Sequence, residues 1–120
     1  MASLDHAEEV LAEAEPPPRV VVVGNAVVDI TVRGVTGDED ETRHDWGGAT
    51  RLVAEPIEAL LGGCGAASAY VLGRLGVTTT LTTNLGDDAF GQLLSQWLAS
   101  AGVSVTGRPA AAASGVHVVQ

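Results

Sequence analysis

From Arg19 onward the hydrophobic and polar positions of this chain fall into a regular alternation of short β-branched runs and helical stripes. Val20-Val21-Val22-Val23 is uninterrupted and closes on Gly24-Asn25. A short segment apolar on both faces has the pattern of a central parallel strand, whose two sides are covered by helices. Ala26 to Val32 resumes strand composition, with Asp29 set between Val28 and Ile30. Gly34 to Thr50 reads as a loop, and in Arg51 to Leu61 the proline at 56 argues against a helix. Gly62-Gly63-Cys64-Gly65 then opens a small-residue helix over Ala66 to Leu75, stopped at Gly76, and Thr78 to Thr83 predicts a strand. Asp87 or Asp88 supplies an N-cap for the next helix. There Phe90, Leu93, Leu94, Trp97, Leu98 and Ala101 share one face at helical spacing, ending at Gly102. Val103 to Val105 and the terminal Val116-His117-Val118-Val119 complete a strand, helix, strand, helix, strand order. That is the βαβ rhythm of a parallel α/β sheet. Residues 1–18 differ: acidic, sparse in apolar positions and ended by Pro16-Pro17-Pro18, they predict a disordered leader ahead of a single domain over 19–120.

Composition narrows the function classes. Hydrophobic residues make up 46% of the 120 and aromatics only 3%, so the core has to be built from Val, Leu and Ala. Fifteen acidic against six basic residues give a net charge of −9, which argues against nucleic acid or an anionic membrane as partner. Every basic residue is Arg, and without a lysine a Walker-type phosphate loop is excluded. One cysteine permits no intramolecular disulfide and fits a reducing compartment. No apolar run approaches the ~20 residues of a membrane span, and the acidic N-terminus lacks the positive charge of a signal peptide. The expectation is a cytoplasmic protein.

Candidate chemistry begins with Gly62, Gly63 and Gly65. Glycines before a helix let a ligand or a neighbouring backbone approach closely, and a helix start presents unpaired N–H groups. A plain loop-to-helix turn explains them equally well. A dinucleotide fingerprint is a near miss, because Ser68 stands where Gly or Ala belongs and Glu55 to Ala59 makes a poor central strand. Asp29 is the second candidate: a carboxylate just past a buried strand is costly unless it faces water or a polar ligand. Ionised, it can accept two hydroxyl hydrogen bonds from a polyol; an exposed strand residue is the competing reading. The acidic run Asp38 to Glu41 with Asp45 lacks EF-hand order and reads as a solvated loop. Cys64 could line a pocket but has no His or metal-spaced partner nearby in sequence. His6, His44 and His117 are scattered one per segment, supporting neither a metal site nor a triad, and no nucleophile elbow surrounds Ser68, Ser95 or Ser104. No complete catalytic set is present.

Together these pieces resemble the N-terminal part of the ribokinase, or PfkB, family of carbohydrate and nucleoside kinases. Val20-Val21-Val22-Val23-Gly24-Asn25-Ala26-Val27-Val28-Asp29 is similar to the family's first strand and substrate aspartate. Gly62-Gly63-Cys64-Gly65-Ala66-Ala67-Ser68-Ala69, continuing through Leu72-Gly73-Arg74-Leu75-Gly76-Val77, resembles its first signature. Gly86, Asp88 and Gly91 match its G-x-D-x-x-G turn, which is taken here as structural, through helix capping. The resemblance implies a Rossmann-like α/β sandwich with a small β lid. It places the lid strands near Ala26 to Arg33, Arg51 to Leu60 and Ser104 to Ala110, and it implies that Asp29, Gly62 and Gly63 hold hydroxyls of a sugar or nucleoside. The lid strands also offer edges for pairing with a second copy.

Two departures qualify that expectation. The family signature has Asn where this chain has Ala67, so an amide facing the substrate is lost and the acceptor's identity is left open. The family's catalytic aspartate, in a G-A-G-D motif, and its nucleotide pocket belong to the second half of the fold, and no G-A-G-D occurs here. The chain is therefore expected to be the N-terminal portion of an enzyme using ATP and Mg²⁺, with no site for either, no catalytic residue and no turnover alone. A non-catalytic sugar-binding or assembly module derived from such a kinase is the alternative.

Overall fold

A computed structural model describes residues 4–13, 15–34, 53, 55–109 and 111–119. In chain order the elements are α1 (Leu4–Ala12), β1 (Arg19–Val23), β2 (Val27–Thr31), β3 (Glu58–Gly62), α2 (Cys64–Arg74), β4 (Thr78–Thr82), α3 (Ala89–Ser100), β5 (Ser104–Thr106) and β6 (Gly115–Val119). The acidic run Asp38 to Glu41, Asp45 and His44 lie outside the described residues. The leader is not structureless: Leu4–Ala12 forms a nine-residue helix. Val10 on it is 55% exposed.

Two three-stranded sheets divide the work. β1, β4 and β5 form a parallel sheet in the order β1-β4-β5, with Val22 opposite Leu81 and Leu81 opposite Val105. Those three positions face the two helices. Leu81, Leu94, Leu98, Ala66, Ala69, Ala101 and Val103, with Ala26 and Val28 from the lid side, make the buried cluster, and Val22, Tyr70, Trp97 and Val105 are among the residues packed against it. The core is thus the expected Val, Leu and Ala core. Of the stripe on α3, Leu94 and Leu98 are fully buried and Trp97 is half-buried, whereas Phe90 sits at the helix start and turns outward at 38% exposure. The alternate positions of β1 have no such cover. Val21 and Val23 are 67% and 78% exposed, because among the described residues α2 and α3 lie on one face only. β1 is here an edge strand with one bare face rather than a strand covered on both sides.

The second sheet is the lid, in the order β3-β2-β6. β2 runs antiparallel to β3, pairing Asp29 with Leu60, and parallel to β6, pairing Asp29 with His117. This corrects the third lid strand. Ser104–Thr106 belongs to the main sheet, where Thr82 and Thr106 share a 3.0 Å hydroxyl hydrogen bond, and the terminal Gly115–Val119 takes the place in the lid. The second lid strand also runs on to Gly62, which brings the glycine cluster to its end.

Candidate substrate site

The site forms where the lid meets the main sheet, and three glycines explain how the elements approach so closely. Gly62 ends β3 beside Asp29, and a Cβ added there would overlap the Asp29 carboxylate. Gly63 has φ 91°, in the left-handed region that glycine occupies without strain, and turns the chain from β3 into α2. Gly65, in the first turn of α2, lies against Gly24; a Cβ on it would come within 2.7 Å of the Gly24 Cα. The helix start is therefore pressed directly onto the loop between β1 and β2.

Asn25 in that loop uses the contact. Its Oδ1 accepts the Cys64 N–H at 3.1 Å, and its main-chain carbonyl accepts the Ala66 N–H at 3.0 Å. Two amides of the first helical turn are thus capped by a residue distant in sequence. The expectation that this helix start offers its free N–H groups to a ligand is corrected accordingly: the Cys64 and Ala66 amides are engaged within the fold. Asn25→Ala is expected to destabilise the chain by about 1 kcal/mol, the ordinary cost of losing a helix cap. Urea denaturation checks this, and an unchanged midpoint would show that water replaces the cap fully.

Asp29, Gly62 and Gly63 come together around an open cavity of about 500 Å³. Cys64 and Ala67 line it from α2, and His117 from β6. Ala67 contributes a methyl group. Asp29 is partly exposed, and its Oδ1 lies 3.5 Å from His117 Nδ1. Nothing in its local sequence singles out His117 as part of this lining. The signal available was a second V-x-V strand with one polar centre, but its meaning depends on β6 lying parallel to β2 in this register. Cys64 is exposed and unbridged.

A neighbouring cavity of about 520 Å³ shares Asn25 and Val27 and opens over Thr82 and Asn84 at the C-terminal ends of β1 and β4. That is the usual ligand side of an open parallel sheet. A cavity of about 560 Å³ between α3 and β5, lined by Gln92, Ser95 and Arg108 among others, includes Gly86 and Gly91 of the capping turn but not Asp29, Gly62 or Gly63. Among the described residues no three His, Cys, Asp or Glu side chains converge as a metal site. Nor is any helix among them long and apolar enough to cross a membrane.

A parallel α/β layer carrying a β lid, with a carboxylate and two glycines at the junction, defines a ribokinase-type fold. The model of the pfkB family carbohydrate kinases matches residues 19–117, and the chain belongs to that family. Among solved structures it is similar to the fructokinase from Xylella fastidiosa, at TM-score 0.64 and 24% identity over 85% of this chain and 28% of that one. Aminoimidazole riboside kinase from Salmonella enterica, solved with aminoimidazole riboside and an ATP analogue, gives TM-score 0.60 and 27% identity over 83% of this chain and 28% of that one. Ribokinase from Cryptococcus neoformans, solved with ADP, gives TM-score 0.59 and 24% identity over 84% and 30%. The chain thus spans less than a third of the length of these three structures. No curated protein sequence matches it.

Proposed function

We propose that this chain provides the acceptor-binding part of a carbohydrate or nucleoside kinase, with Asp29, Gly62 and Gly63 holding substrate hydroxyls. The observation that carries this reading is the Asp29 carboxylate, seated in the space left by the missing side chain of Gly62 and partly open to the cavity. An ionised carboxylate there can accept two hydroxyl hydrogen bonds and so orient one face of a sugar. Gly62 and Gly63 keep side chains away from that face, which lets the polyol approach the backbone. Phosphoryl transfer from ATP would rest on a catalytic aspartate and a nucleotide pocket supplied by residues other than these 120. In this reading the protein is cytoplasmic. The exposed Leu60 and Val118 on the outer lid strands support pairing of two copies through the lid.

Asp29→Asn preserves shape and removes the charge. Each charge-assisted hydrogen bond contributes about 1.5–3 kcal/mol, so the loss of one corresponds to at least about a tenfold weaker affinity. Calorimetric titration with D-ribose, D-fructose and adenosine tests this. Equal affinity of the Asn variant for whichever ligand binds, or no binding of any of them by the unmodified chain, would overturn the proposal.

A further inference from the structure

The site contains a second polar group that the acceptor-binding reading leaves without a role. We propose that His117 is a hydroxyl-binding residue paired with Asp29, so that two neighbouring hydroxyls of a sugar are taken together, one by the carboxylate and one by the imidazole. The proposal rests on the reading of this cavity as a sugar site and adds a specificity residue to it.

The register of the lid is the first support. β6 lies parallel to β2 with His117 directly opposite Asp29, so the two side chains stand on the same face of adjacent strands and line the same cavity. The spacing is the second. Asp29 Oδ1 and His117 Nδ1 are 3.5 Å apart, longer than an ordinary N–H···O bond, so neither group is saturated by the other. Both remain accessible, with side-chain exposures of 38% for Asp29 and 71% for His117. Two adjacent hydroxyls can be received by groups so spaced, since an imidazole presents one donor and one acceptor while a carboxylate presents acceptors only.

The rest of the lining leaves few competitors. Asn25 Oδ1 is already bonded to the Cys64 amide, and Ala67 offers a methyl group. Opposite Asp29 on β3 stands Leu60, which brings no polar atom. The lid charges Arg33 and Glu58 lie 3.7 Å from each other and away from the lining of the cavity. Cys64 is the remaining titratable group on the lining, and it comes from α2 rather than from the lid. His117 thus adds a polar group from the lid side to a lining where Ala67 offers only a methyl group from the helix side.

The test follows the imidazole ring protons of His117 by NMR while the full chain is titrated with D-ribose and with D-fructose. Calorimetry on His117→Ala, His117→Gln and Asp29→Asn runs in parallel, with thermal melts to confirm folding. For whichever sugar binds, the ring protons are expected to shift in step with saturation. His117→Ala should weaken binding about tenfold, the loss of one or two hydrogen bonds, and His117→Gln should recover most of it. Ring protons unmoved at saturation, or wild-type affinity in His117→Ala while Asp29→Asn loses binding, would overturn the role of His117 and leave the Asp29 site standing. Absence of binding by the unmodified chain, or unchanged binding in Asp29→Asn, would overturn the site and this inference together.

Discussion

Gly62→Val is expected to abolish sugar binding while leaving the chain folded. Gly62 is the last residue of β3 and pairs with Val27, two positions from Asp29 on β2. Any Cβ at 62 falls on the Asp29 carboxylate, so both cannot occupy their present places. What yields is decided by mobility: the backbone of β3 is paired along β2, whereas the Asp29 side chain is short, singly attached and 38% exposed. The carboxylate swings toward water and the strand stays. Overpacking costs about 1–3 kcal/mol in a well-packed site, and a β-branched residue in a strand offsets part of that. The binding face suffers more, because the carboxylate leaves and an isopropyl group fills the surface against which the polyol would lie. Calorimetry with D-ribose, D-fructose and adenosine should give no measurable heat for the variant, with a cooperative melt retained. Undiminished affinity would show that Asp29 binds substrate from another rotamer and that Gly62 does not shape the site.

The contrast between Gly62 and His117 shows what a sequence of this kind discloses. β1, β4, α2 and α3 were legible because each depends on local pattern: a β-branched run, a small-residue helix after glycines, a 3.6-residue stripe. The helix cap was narrowed to two residues by type alone, and Asp88 is the one that caps. Asp29, Gly62 and Gly63 were legible through the resemblance of short motifs and converge on one cavity. What escaped depends on contacts between distant segments. Ser104–Thr106 and Gly115–Val119 are both short, partly polar strands, and nothing local says which one joins the lid. The pairing of Leu81 with Val105, and of Val28 with Val116, decides it. Asn25 reads locally as the close of a strand, and only the packing of α2 onto it makes it a cap. His117 had no meaning until β6 lay beside β2.

Asp88→Ala is expected to do more than fray a helix. One carboxylate oxygen accepts the Gly91 N–H at 2.8 Å, which is the N-cap of α3. The other accepts the Ser114 N–H at 2.7 Å, and Ser114 Oγ in turn accepts the Gly86 N–H at 3.0 Å. Since Ser114 immediately precedes β6, this carboxylate ties the main layer to the strand that carries His117. The alanine variant should lose thermal stability by more than Asn25→Ala does, because two charge-assisted bonds disappear rather than neutral ones. Amide exchange should quicken along Ser114 to Val119 as well as in the first turn of α3. Asn at 88 separates the two roles: its carbonyl oxygen can still cap Gly91, but its NH₂ would face the Ser114 N–H donor to donor. Acidification gives an independent check. The Gly91 N–H first, and the Ser114 contacts after it, hold the Asp88 carboxyl below its ordinary value of 3.8. A depressed folded-state value means the carboxylate's contribution is complete above 3.8 and is lost as the pH falls through the lower folded-state value. The unmodified chain should therefore lose stability on that acid limb, and Asp88→Asn should lose less of it over the same interval. Parallel acid limbs would mean that neither contact favours the ionised carboxyl, and fast exchange confined to α3 would mean that the carboxylate caps the helix without anchoring the lid.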